Sequence, residues 1–98
     1  MYLINIILSE AALNSGQAEQ MLAQHRQWFG KYFERGHFLL LGPYSGKAAG
    51  VIVAQAESRD ALQAILAEDV YYPDGAEYEV REFTANKIHP QIGDFAGR

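Results

Sequence analysis

Residues 2–8, Tyr-Leu-Ile-Asn-Ile-Ile-Leu, constrain the fold more than any other stretch. The run is rich in Ile and Leu, starts immediately after Met1 and is too short for a helix, so it predicts a strand. In strand geometry Tyr2, Ile4, Ile6 and Leu8 share one face, and Leu3, Asn5 and Ile7 share the other. Both faces are largely apolar, which places this strand at the centre of a sheet with cover on both sides. Asn5 is the exception, because a buried amide needs hydrogen-bond partners. It either makes a local structural bond or lines a pocket.

The period then changes. After breakers at Asn14, Ser15 and Gly16, residues 17–36 carry Met21, Leu22, Trp28, Phe29, Tyr32 and Phe33 at helical spacing. Glu19, Gln20, Gln24, Arg26, Gln27, Lys31 and Glu34 occupy the opposite face. Gly36 sits where a left-handed glycine would end the helix. A second strand is expected at about His37–Gly42, a turn at Pro43–Gly50, and a third strand at Val51–Ala56, paired with the second as a hairpin. Ser58 is placed to cap a second helix, Arg59 to about Glu68, whose Ala61, Leu62, Ile65 and Leu66 form one face. Asp69–Gly75 reads as a loop. Ala76–Thr84 reads as a fourth strand with Tyr78 and Val80 on one side and Glu77, Glu79 and Arg81 on the other, a pattern suited to an edge.

The order is βαββαβ, which predicts an α+β, ferredoxin-like fold with a four-stranded antiparallel sheet and both helices on one face. The apolar residues on the remaining face need a cover. A second copy of the chain, packed sheet against sheet into a dimeric α+β barrel, supplies one. With 98 residues the chain fits one domain. A domain this small buries only about 65% of its unfolded surface, which is a further reason to expect a homodimer or higher homo-oligomer. The domain is expected to span residues 1–84. Residues 85–98 contain Pro90, Gly93 and Gly97 and show no period. They read as an extension, either frayed or docked on a neighbouring subunit through Ile88, Ile92 and Phe95.

Composition removes several functional classes. A net charge of −4 without a basic stripe argues against nucleic acid. The longest apolar runs are too short to span a bilayer. The N-terminus lacks the basic and apolar segments of a leader, so a cytoplasmic location is expected. The absence of cysteine excludes disulfides, thiolate metal sites and a cysteine nucleophile. His25, His37 and His89 lack metal-motif spacing, and no phosphate-binding glycine loop or serine elbow is present. Neither a metal nor a cofactor is expected.

What remains is His25, the one ionisable side chain on the apolar stripe of the long helix. It is either a packed core imidazole or a functional base. In a βαββαβ fold the two helices lie side by side, so His25 can approach Asp69, just past the end of the second helix. A carboxylate bonded to one ring nitrogen fixes the tautomer and raises the basicity of the other nitrogen. Tyr71 and Tyr72, with Tyr44 beyond Gly42-Pro43, can supply rings and hydroxyls for a substrate pocket.

The chain resembles the YCII-related (YciI-like) family of the dimeric α+β-barrel superfamily. The matching features are Tyr2-Leu3-Ile4-Asn5-Ile6, the helix with His25, the strand end Leu40-Leu41-Gly42-Pro43, and Gly50-Val51-Ile52-Val53. Asp69, Gly75 and Glu79-Val80-Arg81-Glu82-Phe83 complete the series. The resemblance implies that His25 and Asp69 are the active-site pair and that the scaffold can host elimination chemistry; Gly42, Pro43, Tyr44 and Tyr71 are expected to bind substrate from their places in the turn and loop. A related protein resembles a dehydrochlorinase of chlorinated hydroxyquinols. The family's Asp-Pro-Phe is Asp69-Val70-Tyr71 here, which keeps the acid and the aromatic but loses the proline.

Two functions follow. One is a small-molecule enzyme in which His25 abstracts a proton for elimination or isomerisation. The other is a non-catalytic protein that binds a small ligand or serves as an accessory subunit on the same barrel. A cofactor-free oxygenase has no residue pattern selecting it. The His25–Asp69 separation discriminates between the first two.

Overall fold

A computed structural model describes residues 1–98. The first strand, β1, is Tyr2–Leu8. A one-turn helix, α1, follows at Glu10–Leu13, and the long helix, α2, runs Ala18–Glu34. Strands β2 (Phe38–Pro43) and β3 (Ala49–Ala54) form the hairpin. Helix α3 is Arg59–Leu66 and strand β4 is Ala76–Glu82.

The sheet has the order β2-β3-β1-β4, every pair antiparallel. Strand β1 is therefore internal, as its two apolar faces require, and charged β4 is an edge. Tyr2, Ile4 and Ile6 of β1, Phe38 of β2, Ile52 and Ala54 of β3 and Ala76 of β4 are buried on the helix side with Trp28, Tyr32, Leu62, Ile65 and Leu66. Leu3, Asn5 and Ile7 alternate to the other face, opposite Val53, Val51 and Ala49 of β3.

Local chemistry explains the boundaries. The Ser58 hydroxyl accepts from the Ala61 amide at 3.0 Å and starts α3. Gly36, with φ of 81°, ends α2 in the left-handed conformation that costs a glycine least. Between Phe38 and Leu40 the pairing of β2 with β3 slips by one residue. This bulge leaves Leu39 and Leu40 exposed in succession, which strict alternation would not do.

Three expectations change. The connection before α2 contains α1, because Ser9 accepts from the Ala12 amide and caps a turn within the expected loop. Phe33 is 52% exposed and leaves the helix stripe, since Trp28 and Tyr32 fill the line of contact and Phe33 lies one residue further around the cylinder. The chain beyond Thr84 holds a 3₁₀ turn at Ile92–Phe95 and is not uniformly extended. Its hydrogen bonds after Thr84 stay within the tail, and Ile88, Ile92 and Phe95 are 51–61% exposed.

Candidate active site

Helix α2 is fastened to α3 and the residues just after it by polar contacts, one buried and the others toward the surface. The Trp28 indole donates to the Ile65 carbonyl at 2.9 Å, satisfying an acceptor in the last turn of α3. Lys31 pairs with Glu68 at 2.7 Å, and the Tyr32 hydroxyl donates to the other Glu68 oxygen. These contacts set the rotation of α2 and so fix the direction of His25.

His25 Nδ1 lies 2.8 Å from Oδ1 of Asp69. The Asp69 side chain is fully buried and that of His25 is 15% exposed. A buried carboxylate accepts and does not donate, so the neutral imidazole carries its proton on Nδ1. That leaves the Nε2 lone pair as the free base. No side chain bonds Nε2, and it is not among the buried unpartnered atoms, so it opens to the surface. Three aromatic rings surround the imidazole, with centroids at 5.5 Å for Trp28, 5.3 Å for Phe29 and 5.1 Å for Tyr71.

Tyr71 is buried, and burial followed by the Asp69 charge raises its hydroxyl above the ordinary tyrosine value. It therefore remains a neutral donor. Its backbone is pinned by Gly75, whose amide donates to the Tyr71 carbonyl at 2.7 Å. A Cβ at position 75 would stand 2.8 Å from that same oxygen, so only glycine allows the approach.

Sequence reasoning missed Tyr78. From β4 its hydroxyl donates to Oδ2 of Asp69 at 2.6 Å. The available signal was register: Tyr78 pairs with Ile6, on the helix-facing side of the sheet. Burial first, then the hydrogen bond to Asp69, pushes the Tyr78 hydroxyl far above its usual range. The Tyr78 ring also lines an open groove of about 680 Å³ with Tyr72, Gln63 and Arg59. His25 does not line that groove.

Gly42, Pro43 and Tyr44 do not join this cluster. Gly42 pairs with Val51 on the helix-free face, and Tyr44 donates its hydroxyl to Asn5 there. Pro43 is exposed at the end of edge strand β2. Three strand spacings, about 14 Å, separate β2 from β4. Asn5 and Tyr44 instead border a second hollow of about 640 Å³ with Lys47 and Glu79. The structure thus gathers His25, Asp69 and Tyr71 and replaces the single expected pocket with two regions. No group of three or more potential metal ligands converges, and no helix is long and apolar enough to cross a membrane.

The architecture is that of an α+β fold in which one sheet face carries helices and a histidine–carboxylate contact. The profile of the YCII-related domain matches residues 1–84, and the chain belongs to that family. Among solved structures it is similar to a crystal structure of muconolactone isomerase, with a TM-score of 0.75 and 19% identity over 90% of this chain and 94% of that one. At that identity the likeness is one of fold. Comparison with curated protein sequences finds no match.

Proposed function

We propose that the protein is a small-molecule enzyme in which His25 is the general base and Asp69 its orienting partner. The supporting observation is the 2.8 Å contact that ties Nδ1 to a buried carboxylate while Nε2 stays open. In this reading Nε2 takes a proton from a carbon activated by a neighbouring carbonyl or aromatic ring. The imidazolium that forms is stabilised by the Asp69 charge. The proton then returns at another carbon, giving isomerisation, or a leaving group departs with the electron pair, giving elimination. Tyr71 forms one wall and offers a neutral hydroxyl to the substrate. The chemistry is acid–base throughout and calls on no metal or organic cofactor. The working form in this reading is a cytoplasmic homodimer in which a second copy covers the helix-free sheet face.

A screen of small carbonyl and halogenated aromatic compounds tests the proposal. With a substrate in hand, His25→Ala should lower kcat by about 10²–10⁴-fold while leaving the circular dichroism spectrum intact. A His25→Leu variant as active as the wild type overturns the assignment. Saturable binding without turnover by the wild type identifies a ligand-binding protein instead.

A further inference from the structure

Asp69 follows the last turn of α3, and its carboxylate is gripped from two other elements. His25 reaches Oδ1 from α2, and Tyr78 reaches Oδ2 from β4. The carboxylate is fully buried, so water does not supply the remaining orientation. With the imidazole alone as partner, Cγ would be free to rotate about the Cβ–Cγ bond and carry Oδ1 out of line. The phenol stands on a strand paired with β1 along its whole length, from Tyr2 opposite Glu82 to Leu8 opposite Ala76.

We infer that Tyr78 is a positioning residue of this site, whose hydroxyl locks the Asp69 carboxylate so that Oδ1 holds the proton of His25 on Nδ1. The inference deepens the general-base reading, since a ring locked in that tautomer presents Nε2 as the base. The two donors have different roles. Tyr78 is neutral and keeps its proton, so it orients without titrating. His25 is the group that exchanges a proton with the outside, through the nitrogen that Asp69 does not touch. Tyr78 does not meet the substrate in this arrangement and acts only through Asp69.

The test reads the tautomer and needs no substrate. In the wild type at mildly alkaline pH, the two ring nitrogens of His25 should give well-separated ¹⁵N resonances, one protonated (Nδ1) and one bare (Nε2). In Tyr78→Phe these should move toward each other as the second tautomer becomes populated. Asp69→Asn sets the scale for loss of the carboxylate. Resonances in a folded Tyr78→Phe protein that match the wild type overturn the inference and leave Tyr78 a packing residue, even if the melting temperature falls. Should Tyr78→Phe fail to fold, 3-fluorotyrosine placed at position 78 keeps the ring nearly the same size and makes the hydroxyl a stronger donor. It should draw charge from Oδ1 and shift the His25 Nδ1 proton resonance upfield; an unmoved resonance overturns the inference. Because these readouts are independent of turnover, an inactive protein with a locked tautomer refutes the enzyme reading alone. A catalytically essential His25 with an unaltered ring in Tyr78→Phe refutes the role of Tyr78 alone.

Discussion

The two faces of the sheet are written by the same strands and end in different states. On the helix side Tyr2, Ile4, Ile6, Phe38, Ile52 and Ala54 are at most 4% exposed. On the other side their neighbours Leu3, Ile7, Val51 and Val53 are only half buried, and Leu40 is 41% exposed. The second face is also divided. Its β1–β3 centre is apolar, while Glu77, Glu79 and Arg81 line the β4 edge. A monomer gains nothing from a patch of Leu, Ile and Val left half in water, because burying apolar area contributes about 25 cal/mol per Å² and this area remains unburied. The helix face is a finished core. The bare face is an apolar centre left half exposed, with a charged margin that resists edge-to-edge pairing.

That difference sets where substitutions should act. Leu66 is fully buried between α3 and the sheet. Leu66→Ala should cost about 2–5 kcal/mol, a large part of the total stability of a small domain. Leu40→Ala on the bare face should cost far less in the isolated chain. Urea denaturation at low protein concentration measures both. Equal losses would show that the two faces are equally packed and would break the contrast.

How the faces are divided was legible in the sequence to different degrees. The alternation in Tyr2–Leu8 and the charges on Ala76–Glu82 fixed a central and an edge strand, because side-chain direction in a strand follows from counting alone. The Ser58 cap and the Gly36 terminus were legible for the same reason: each needs only one local group. Counting failed where tertiary packing chose between equivalent positions. Phe33 fits the helical spacing yet finds no opposing layer, and the bulge at Leu39 is set by pairing with β3 and leaves no mark in β2 itself. In the candidate site the same line divides Asp69 from Tyr78. Asp69 lies next to a helix end, and its approach to His25 follows from helix adjacency. Tyr78 reads as an ordinary core-facing strand residue until the register places it across from Ile6 and beneath Asp69. Gly42, Pro43 and Tyr44 lead into a turn that looks like a pocket rim, but Gly42 and the Tyr44 hydroxyl lie on the helix-free face of the sheet, with the sheet between them and the dyad.

A charge set into the bare face sharpens the contrast from the other side. Val53 pairs with Leu3 and lies in the apolar centre. If a second copy covers this region, Val53→Asp should weaken self-association by at least about tenfold, about 1.4 kcal/mol, because the carboxylate loses its hydration in the interface. The variant should remain folded, and its melting temperature should lose the concentration dependence expected of an oligomer. Sedimentation equilibrium distinguishes the outcomes. A wild type that is monomeric at high micromolar concentration removes the second copy as the cover.

The smallest effect belongs to the outer seam of the covered face. Glu68 there accepts from Lys31 and Tyr32, and the Lys31 hydrogen bond, then that of Tyr32, lowers its pKa below the ordinary carboxylate value of 4.5. A carboxylate with a depressed folded-state pKa stabilises the fold above its unfolded pKa, and the contribution fades as pH falls through the folded value. The melting temperatures of wild type and Glu68→Gln should therefore differ most at neutral pH and converge under acid conditions, below both values. Side chains at this pair are 43% and 45% exposed, so solvent screens the interaction and added salt should narrow the neutral-pH gap. A gap that persists unchanged into acid would mean that the Glu68 side chain contributes through packing. The helix face would then owe its α2–α3 seam to apolar contact and the Trp28–Ile65 hydrogen bond, with no electrostatic share.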